Sequence, residues 1–573
     1  MDDLCPVYTL QNECHDCYRC VRECLVKAIK IKDNHASVIN DKCIACGHCV
    51  RICPSNAKRV RRDNDRMPEI FATGKKVIAS LAPSWAGVFD YSPSKMIAIL
   101  KRLGFHYVSE TALGAQQVSI QTAKMLKDAP NGLYISSACP VIVDYVRCYD
   151  AEYVKNITPI ASPALTHAKM LKEYFGQDCI VVFIGPCIGK KNEAARHPDL
   201  LAAALTFEGL KFWIKESQAD SDDLEITDQD IFVPDHAHEG GLYPIEGGMN
   251  ETIKKIGIPQ DVQLMTVSSL QSFQKSLHGL TESSIDKKIF VEALACDGGC
   301  INGPSISTSK ATITINSNIL SRVKEREKIP QEPALVLAEE YQAQPIKEAN
   351  FTLNEIVAAM QKIGKYNEDD ELNCGGCGYQ TCRDLACAML AGEAESSMCV
   401  SYMRKIATRK AAAMLRSMPA AIVMVDDKLN ITEANDAFMR MFCGDSYDLY
   451  AALPEGLANA ELDKVVKLSP IMKSALKSGK DLHKEHYPLN GRLYDITAFT
   501  IEPHTIVGAV ISDVTQSESD REKIARKARA VISKNISVVQ EIACLLGEHM
   551  VDTELLLASI AENFNLDKDE DID

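Results

Sequence analysis

The sequence predicts a chain of several α/β and α+β modules. Its 573 residues are enough for roughly four domains of ~150 residues each. Between about 70 and 345, strand-like apolar runs alternate with helical patterns, which is typical of α/β layers. Beyond residue 420, alternating apolar runs favour antiparallel strands. Before residue 60, cysteines recur at short intervals, so metal ligation is expected to organise that part.

The composition excludes several classes of protein. With 46% hydrophobic and 25% charged residues, the chain is neither disordered nor fibrous. A net charge of -15 argues against general nucleic-acid binding, because binding to phosphates needs a basic surface. No apolar run of membrane-spanning length occurs, and the acidic start MDDLCPVY lacks a signal layout, so a cytoplasmic protein is expected. In a reducing compartment, the 22 cysteines indicate metal ligation instead of disulfides.

Residues 1–66 carry two cysteine runs, each spaced C-x2-C-x2-C-x3-C. The fourth cysteine of such a run characteristically ligates the other cluster. The sequence therefore predicts two [4Fe-4S] clusters, one held by Cys14, Cys17, Cys20 and Cys53 and the other by Cys43, Cys46, Cys49 and Cys24. Zinc is disfavoured, because tetrahedral sites use paired C-x2-4-C units. The module resembles a bacterial ferredoxin, which implies one-electron relay. The basic stretch 58–62 is interpreted as a solvated link, with docking of a redox partner protein as the alternative.

Residues 350–402 contain a third group, made up of Cys374, Cys377, Cys382 and Cys399. The glycines of NCGGCGYQTC allow a tight loop around a cluster, and DLACAMLAGEA predicts a helix leading to Cys399. This segment resembles the small iron–sulfur domain of some corrinoid and membrane electron-transport proteins. A third accessory [4Fe-4S] cluster is expected, with structural zinc as the alternative.

The central region places cysteines in loops that follow predicted strands, where α/β proteins tend to put their sites. These loops are ISSACP with Cys139, GPCIGKKNE with Cys187, and ALACDGGCINGP with Cys296 and Cys300. In that order they resemble the three signature motifs of the [FeFe]-hydrogenase catalytic domain. The resemblance covers residues 70–345 and implies a two-lobed α/β domain.

That resemblance implies an H-cluster. The four cysteines would hold its [4Fe-4S] part, and Cys300 would also bridge to a di-iron site with CO, cyanide and dithiolate ligands. Lys190 would be the buried ammonium that holds a cyanide. Matching segments are expected to line the di-iron pocket, namely Ala82, Pro83, Ser84, Ser162, Pro163 and Pro186.

Several positions depart from the family pattern. Ala138 stands where catalytic members carry a proton-shuttling cysteine, and Thr122 and Met125 align with the two glutamates of their relay. The side chains of Thr122 and Met125 do not carry protons near neutral pH. Because the cysteine and both glutamates are missing, turnover should fall by several powers of ten. Further departures are Ala164, Gly185, Tyr243 and Asp297.

Residues 410–516 resemble a PAS domain, most clearly in AIVMVDDKLNITEANDAF. A helix is expected over 517–564 and a disordered acidic tail over 565–573. Apolar positions at alternating three and four residues predict a coiled-coil seam and a homodimer, and a helix folded onto its own domain is the alternative. The seam comprises Ala525, Ala528, Ile532, Asn535, Val539, Ile542 and Leu546.

Taken together, these features predict an H2 sensor with slow reversible hydrogenase activity. Redox state would pass from the H-cluster through the accessory clusters to the PAS and helical output, and then to a kinase or phosphatase. One alternative is a working ferredoxin-linked hydrogenase that moves protons through water or Asp297. The other is a non-catalytic iron–sulfur protein without the di-iron site.

Overall fold

The structure, a computed structural model, describes residues 5–546 except 281–284, 325, 327–328, 348 and 453–455, with the backbone alone at 451 and 538–546. The chain divides into two compact units, 1–403 and 404–573. Part of the predicted C-terminal helix and all of the predicted tail lie outside the described residues.

The first unit begins with a small module in which each cysteine run leads into a short helix. Its elements are β1 (Val7–Thr9), α1 (Arg19–Glu23), β2 (Ile29–Lys32), β3 (His35–Val38), α2 (His48–Ile52) and β4 (Lys58–Val60). β1 pairs with β4 and β2 with β3, both antiparallel. Such short strands bury little apolar surface, and the packed side chains of the module are mainly aliphatic residues together with some of the cysteines.

The first lobe of the central domain has a parallel sheet of order β6-β5-β8-β9. Its elements are α3 (Met67–Ala72), β5 (Val77–Leu81), α4 (Trp85–Val88), α5 (Pro93–Arg102), β6 (Tyr107–Glu110), α6 (Ala112–Asp128), then α8 (Pro163–Phe175), β8 (Ile180–Gly185), α9 (Gly189–Arg196), β9 (Ala203–Thr206) and α10 (Phe207–Ser217). Every residue of β5 is buried, as expected for a parallel strand covered on both faces. Opposite the end of β5, Leu81 pairs with both Glu110 and Ile184, so three strands end together.

The second lobe has a parallel sheet of order β10-β11-β7. Its elements are β7 (Gly132–Ile135), α7 (Pro140–Tyr149), α11 (Gly248–Ile256), β10 (Val262–Ser268), α12 (Leu270–Leu277), β11 (Lys288–Leu294) and α13 (Thr312–Leu320), although α13 packs on α4 of the first lobe. The predicted two-lobed α/β architecture is therefore confirmed.

The cysteine-rich module touches the central domain closely. Gly47 has φ +72°, and a Cβ there would lie 2.5 Å from Pro304 Cβ and 2.6 Å from Ile188 Cδ1. Only glycine allows both this backbone conformation and this approach. The contact brings the second cysteine run against the loops that follow β8 and β11.

The small domain contains α14 (Leu353–Lys362) and α15 (Cys382–Leu390), each started by a capping box. The small domain attaches to strand β2 of the N-terminal module, because Ile31 N–H donates a hydrogen bond to Glu393 O. Lys42 Nζ also lies 2.6 Å from Glu393 Oε1. The three cysteine-bearing regions thus form one body within the first unit.

Helix α16 (Val400–Ser417) contains the boundary between the two units. The second unit contains an antiparallel sheet of order β13-β12-β16-β15-β14. Its elements are β12 (Ala421–Asp426), β13 (Ile431–Ala434), α17 (Asp436–Phe442), α18 (Tyr447–Ala451), α19 (Leu462–Val465), α20 (Ser469–Ser478), β14 (Leu482–Leu489), β15 (Arg492–Glu502), β16 (Ile506–Asp513) and α21 (Thr515–Leu546). The predicted α+β fold is confirmed. Strand β14 was not predicted, because only three of its eight residues are half-buried and its register is broken by a bulge.

Helix α21 is exposed on all sides over residues 520–537. A helix folded onto its own domain would bury one face, so this alternative does not hold for that stretch. No helix in the described part of the chain is both long and apolar enough to cross a lipid bilayer.

Candidate metal centres

A cavity lies between the two lobes of the central domain, at the carboxyl ends of their strands. It has a volume of about 110 Å³, several times the roughly 10–15 Å³ that one enclosed water needs. From the first lobe come Ala82 after β5, Thr111 after β6 and Pro186 after β8. From the second come Ala138 after β7 and Leu294 at the end of β11. Parallel strands deliver their loops to one edge, which is why residues far apart in sequence meet here.

All four cysteines predicted to hold the H-cluster line this cavity, namely Cys139, Cys187, Cys296 and Cys300. Burial raises the pKa of each thiol, to about 12 for Cys187, and the other cysteines of the set raise it further for Cys187, Cys296 and Cys300. Thiols with such pKa values stay protonated at neutral pH unless a metal displaces the protons. Four buried sulfurs around one space are a donor set that fits an iron–sulfur cubane.

Lys190 extends along the cavity wall as a buried ammonium. Its Nζ donates to Glu193 Oε2 at 2.6 Å and to Ser162 Oγ at 2.9 Å. An ammonium has three N–H donors, so one remains for a group in the cavity. The Lys190 charge opposes the burial that raises the pKa of Cys139, Cys187 and Cys300. The position suits an anionic ligand beside the sulfur set.

Most of the other residues predicted for the di-iron pocket line the same cavity. They are Ala82, Pro83, Ser84, Ala138, Pro163 and Pro186. Ser84 is 1% exposed, and its Oγ has no hydrogen-bond partner. An unpaired buried hydroxyl is costly, so it fits a site that a polar ligand completes. Ser162 is not part of the lining; its Oγ caps α8 by accepting from Leu165 N and also accepts from Lys190.

The wall beside Ala138 is mostly apolar where a proton relay would run, with Tyr243 as a polar exception. Ala138 and Met125 both contact a buried cluster that contains Val118 and Ile120. Thr122 is fully buried, and its hydroxyl donates to Val118 O within its own helix. Asp297 is exposed and does not line the cavity. No carboxylate is found among the described residues that line the cavity.

Two polar residues of the lining were not predicted as such. Thr111 Oγ1 lies 2.8 Å from Ser80 Oγ, which lies 2.7 Å from His167 Nδ1. Tyr243, noted above only as a departure from the family, lies 2.8 Å from Ser119 through its hydroxyl. The place of Thr111 directly after strand β6 was the available signal, since strand ends carry sites. No sequence signal pointed to His167, which burial alone identifies.

The N-terminal module groups its cysteines in the predicted crossed manner. Burial raises the pKa of Cys20, as do the nearby thiols of Cys14, Cys17 and Cys53. In the other set burial raises the pKa of Cys49 well above its usual value, and Cys46, Cys43 and Cys24 add to it. The last cysteine of each run thus lies near the first three cysteines of the other run, as the crossed assignment expects. This grouping fits two cubanes and does not fit one zinc site per run.

Three of the four sets of sulfurs form a series in which each set adjoins the next. Cys46 lines the central cavity and is among the thiols that raise the pKa of Cys296. On the far side, Lys27 lies near both Cys24 and Cys377, and its Nζ stands 5.9 Å from the ring centre of Tyr379. In the small domain, burial raises the pKa of Cys377, and Cys399 and Cys374 raise it further. Cys382, the fourth predicted ligand, begins α15 with its N–H bonded to Asn373 Oδ1.

Two parallel-sheet lobes around a cysteine-lined cavity, joined to two smaller cysteine-bearing domains, define a multidomain iron–sulfur protein. Residues 75–304 match the family model for the iron only hydrogenase large subunit, C-terminal domain. Residues 6–54 match a 4Fe-4S dicluster domain, 370–401 an Fe-S cluster model and 409–469 a PAS domain. The chain thus carries an [FeFe]-hydrogenase large-subunit domain with iron–sulfur domains and a C-terminal PAS domain.

One similar curated protein is iron hydrogenase 1 of Clostridium pasteurianum, 24% identical over 366 residues. The match covers 51% of this chain and 63% of that enzyme's length. An [FeFe]-hydrogenase structure from Chlamydomonas reinhardtii is 17% identical, covers 49% of this chain and 99% of that one, and has a TM-score of 0.38. The PAS domain of nitrogen regulation protein NR(II) from Vibrio parahaemolyticus is 18% identical, covers 18% and 96% respectively, and has a TM-score of 0.15.

Proposed function

We propose that this protein senses H2 and turns it over slowly. The observation that carries the proposal is the cavity itself, in which four thiols and Lys190 surround a space whose Ala138 side is mostly apolar and whose described lining has no carboxylate. The residues that would hold an H-cluster are therefore together, and the residues that would move protons away from it quickly are not.

In this proposal Cys139, Cys187, Cys296 and Cys300 hold the cubane part of the H-cluster, and Lys190 holds an anionic ligand of the di-iron part. When bound, that group supplies reversible heterolytic cleavage of H2. The chain's own residues fix the ligands, and the apolar part of the lining excludes water. No carboxylate of the described lining is there to accept a proton. General acid–base groups contribute about 10²–10⁴-fold to rates, and their absence slows turnover by a similar factor.

The route for electrons follows the contacts between the sulfur sets. Cys46 of the N-terminal module lies at the cavity, and Cys24 of the same set lies near Lys27 and Cys377. Cys399 directly precedes α16, the helix that leads into the PAS domain. A change of redox state near Cys399 thus acts on the first residues of that helix. We propose this helix as the output, with a kinase or phosphatase as the downstream partner.

The test is an infrared spectrum of the full chain, matured with its iron cofactors, under H2 and under inert gas, together with its turnover. We expect CO and cyanide bands that change with H2, and a turnover several powers of ten below ordinary hydrogenases. A Cys300→Ser variant serves as the control that should lose the bands. Missing bands in the matured wild-type protein would favour a purely iron–sulfur protein, and ordinary turnover would favour a working hydrogenase.

One observation favours the working hydrogenase as a second candidate. A series of hydrogen bonds runs from Thr111 at the cavity through Ser80 to His167. The Nε2 atom of His167 lies 2.9 Å from Ser109 Oγ. A neutral imidazole between two hydroxyls can pass a proton. Burial lowers the pKa of His167 to about 3, so it stays neutral. Ser109 itself is fully buried. If the protein is a sensor, His167→Phe should leave turnover unchanged. If the hydrogen-bond series through His167 is the proton path, the same substitution should abolish turnover.

A further inference from the structure

Lys58 is a buried cation without a counter-ion. It is 3% exposed, on strand β4, and its Nζ donates to Thr9 Oγ1 at 2.6 Å and to Ala36 O at 3.4 Å. Among the described residues no carboxylate pairs with it. A buried ammonium held by a hydroxyl and a carbonyl alone is costly, because neither replaces the lost hydration of a full charge. A negative charge is therefore expected nearby.

The neighbours of Lys58 are the sulfurs of both N-terminal sets. Burial raises the pKa of Cys20 and of Cys49, and the Lys58 charge opposes it in each case. The backbone N–H of Lys58 also bonds the thiol of Cys53. Cys20 and Cys53 belong to one set and Cys49 to the other. One ammonium thus lies within electrostatic reach of both.

The internal repeat shows that this cation is not needed for the local fold. Lys58 follows the last cysteine of its run by five residues, and Ile29 holds the same place after Cys24. Ile29 is buried to the same degree, at 2% exposed. An aliphatic side chain therefore suits this position of the repeat, and the charge at 58 needs another explanation.

The rest of the basic stretch 58–62 is engaged locally. Arg59 pairs with Glu13, Arg61 with Asp63, and Arg62 stands over the ring of Phe212. These contacts pair the charges locally within the first unit, while Arg59 and Arg62 remain exposed. The interpretation as a simple solvated link is wrong at Lys58, which is buried.

We propose that Lys58 is a positioning residue that sets the reduction potentials of both N-terminal [4Fe-4S] clusters. A cluster with four thiolates is anionic and gains one negative charge on reduction, so a buried cation stabilises the reduced form more than the oxidised form. Lys58 therefore raises both potentials together. Because it reaches both sets, it acts on the pair as a unit.

A consequence for sensing follows, and it rests on the proposed function. The amount of H2 needed to reduce a cluster falls as the potential of the cluster rises. Lys58 would thus lower the H2 level at which the N-terminal clusters become reduced. Its loss would require a higher partial pressure of H2 for the same reduction.

The experiment is a redox titration of the full-length, cluster-loaded protein with mediators, followed by electron paramagnetic resonance. Lys58→Met and Lys58→Gln are the neutral variants, Lys58→Arg keeps the charge, and Lys32→Met removes an exposed lysine of strand β2 as the matched control. We expect the midpoint potentials of both N-terminal clusters to become more negative in the neutral variants. Lys58→Arg, Lys32→Met and the third cluster should keep wild-type values.

Unchanged midpoints in loaded Lys58→Met or Lys58→Gln would overturn the assignment, as would an equal shift in Lys32→Met. If both neutral variants lose their clusters while Lys58→Arg keeps them, the need for a cation is supported. If all three lose them, Lys58 acts through packing and the assignment fails. The titration uses chemical reductant and no H2, so it stands or falls separately from the sensor proposal.

Discussion

The ammonium of Lys190 and the carboxylate of Glu193 form an ion pair of 2.6 Å, one helical turn apart, with both side chains under a tenth exposed. Ser162 Oγ accepts a second hydrogen bond from the same ammonium, at 2.9 Å. The lysine is thereby aimed along the cavity wall instead of into solvent. The sequence predicted this lysine from a loop motif alone. In the structure, α9 and the start of α8 supply the partners that fix the orientation of its side chain.

Replacing Glu193 by Gln should destabilise the central domain. Removing one partner of a buried pair costs about 3–5 kcal/mol, because the other charge is left unpaired. Both tryptophans of the chain, Trp85 and Trp213, lie in this domain, so their fluorescence during denaturant unfolding reports on it alone. In the matured protein we also expect the cyanide infrared bands to move.

The control is Glu251→Gln. Glu251 and Lys254 form a pair of the same spacing and distance, but both are about half-exposed. Exposed pairs contribute about 0–1 kcal/mol, so this variant should unfold almost as the wild type does. Equal effects of the two substitutions would contradict the role given to Glu193.

Ala138→Cys should raise turnover, but only modestly. It restores a thiol at the cavity wall, yet the next positions remain Thr122, whose hydroxyl is bonded within its helix, and apolar Met125. We expect a rise of about tenfold, below the 10²–10⁴ that a full acid–base group contributes. H2 evolution with a chemical reductant measures it.

Ala164→Cys is the matched control, because Ala164 lines the same cavity at the start of α8. A thiol there should leave turnover unchanged. If Ala138→Cys brings no rise at all, the missing proton relay does not explain slow turnover. If Ala164→Cys has the same effect, position 138 has no special role.

The buried carboxyl group of Glu110 should make the stability of the central domain depend on pH. Burial raises its pKa to about 7, although Ala237 N–H donates to it. The unfolded chain releases this proton near pH 4.5, so between pH 4.5 and 7 the folded state binds more protons. Stability contributed by this group is present below pH 4.5 and is lost as pH rises through 7.

Glu110→Gln removes that loss. Its unfolding midpoint, measured by tryptophan fluorescence, should exceed that of the wild type by a margin that grows from pH 5 to pH 8. Glu251→Gln should show no such trend. A margin that stays constant with pH would mean that Glu110 is ionised in the folded protein at all these values.

The exposed stretch of α21 predicts a homodimer through a coiled coil. Its apolar side chains Ile524, Val531 and Ile532 are 68%, 58% and 38% exposed. A single chain leaves this apolar surface in water, whereas a second copy could cover it. Of the predicted seam, Ala525, Ala528, Ile532 and Asn535 lie in this exposed stretch, and the side chains of the last three positions lie outside the described residues.

Ile532→Asp should convert the dimer into monomer in sedimentation equilibrium of the full chain. Lys534→Asp changes a residue on the outer side of the predicted heptad and should leave the dimer intact. A monomeric wild-type protein at all concentrations tested would refute the seam.

The metal-binding motifs were predictable because cluster ligation depends on short spacing. Two residues between cysteines place successive sulfurs around one cubane, so the runs near Cys14 and Cys43 carry their chemistry locally. The same holds for the glycines between Cys296 and Cys300: Gly299 has φ +98°, and a Cβ there would lie 2.5 Å from Pro244 O. Neither Thr111 nor His167 has such a local signature.

By itself, the sequence determined which residues could be ligands, which modules occur and in what order, and that Ala138 cannot shuttle a proton. Only the tertiary structure decided that Lys190 is paired with Glu193, that Asp297 stays outside the cavity and that Lys58 is buried between two sulfur sets. The reason is physical: spacing along the chain fixes local geometry, whereas burial and charge pairing depend on elements that meet only after folding.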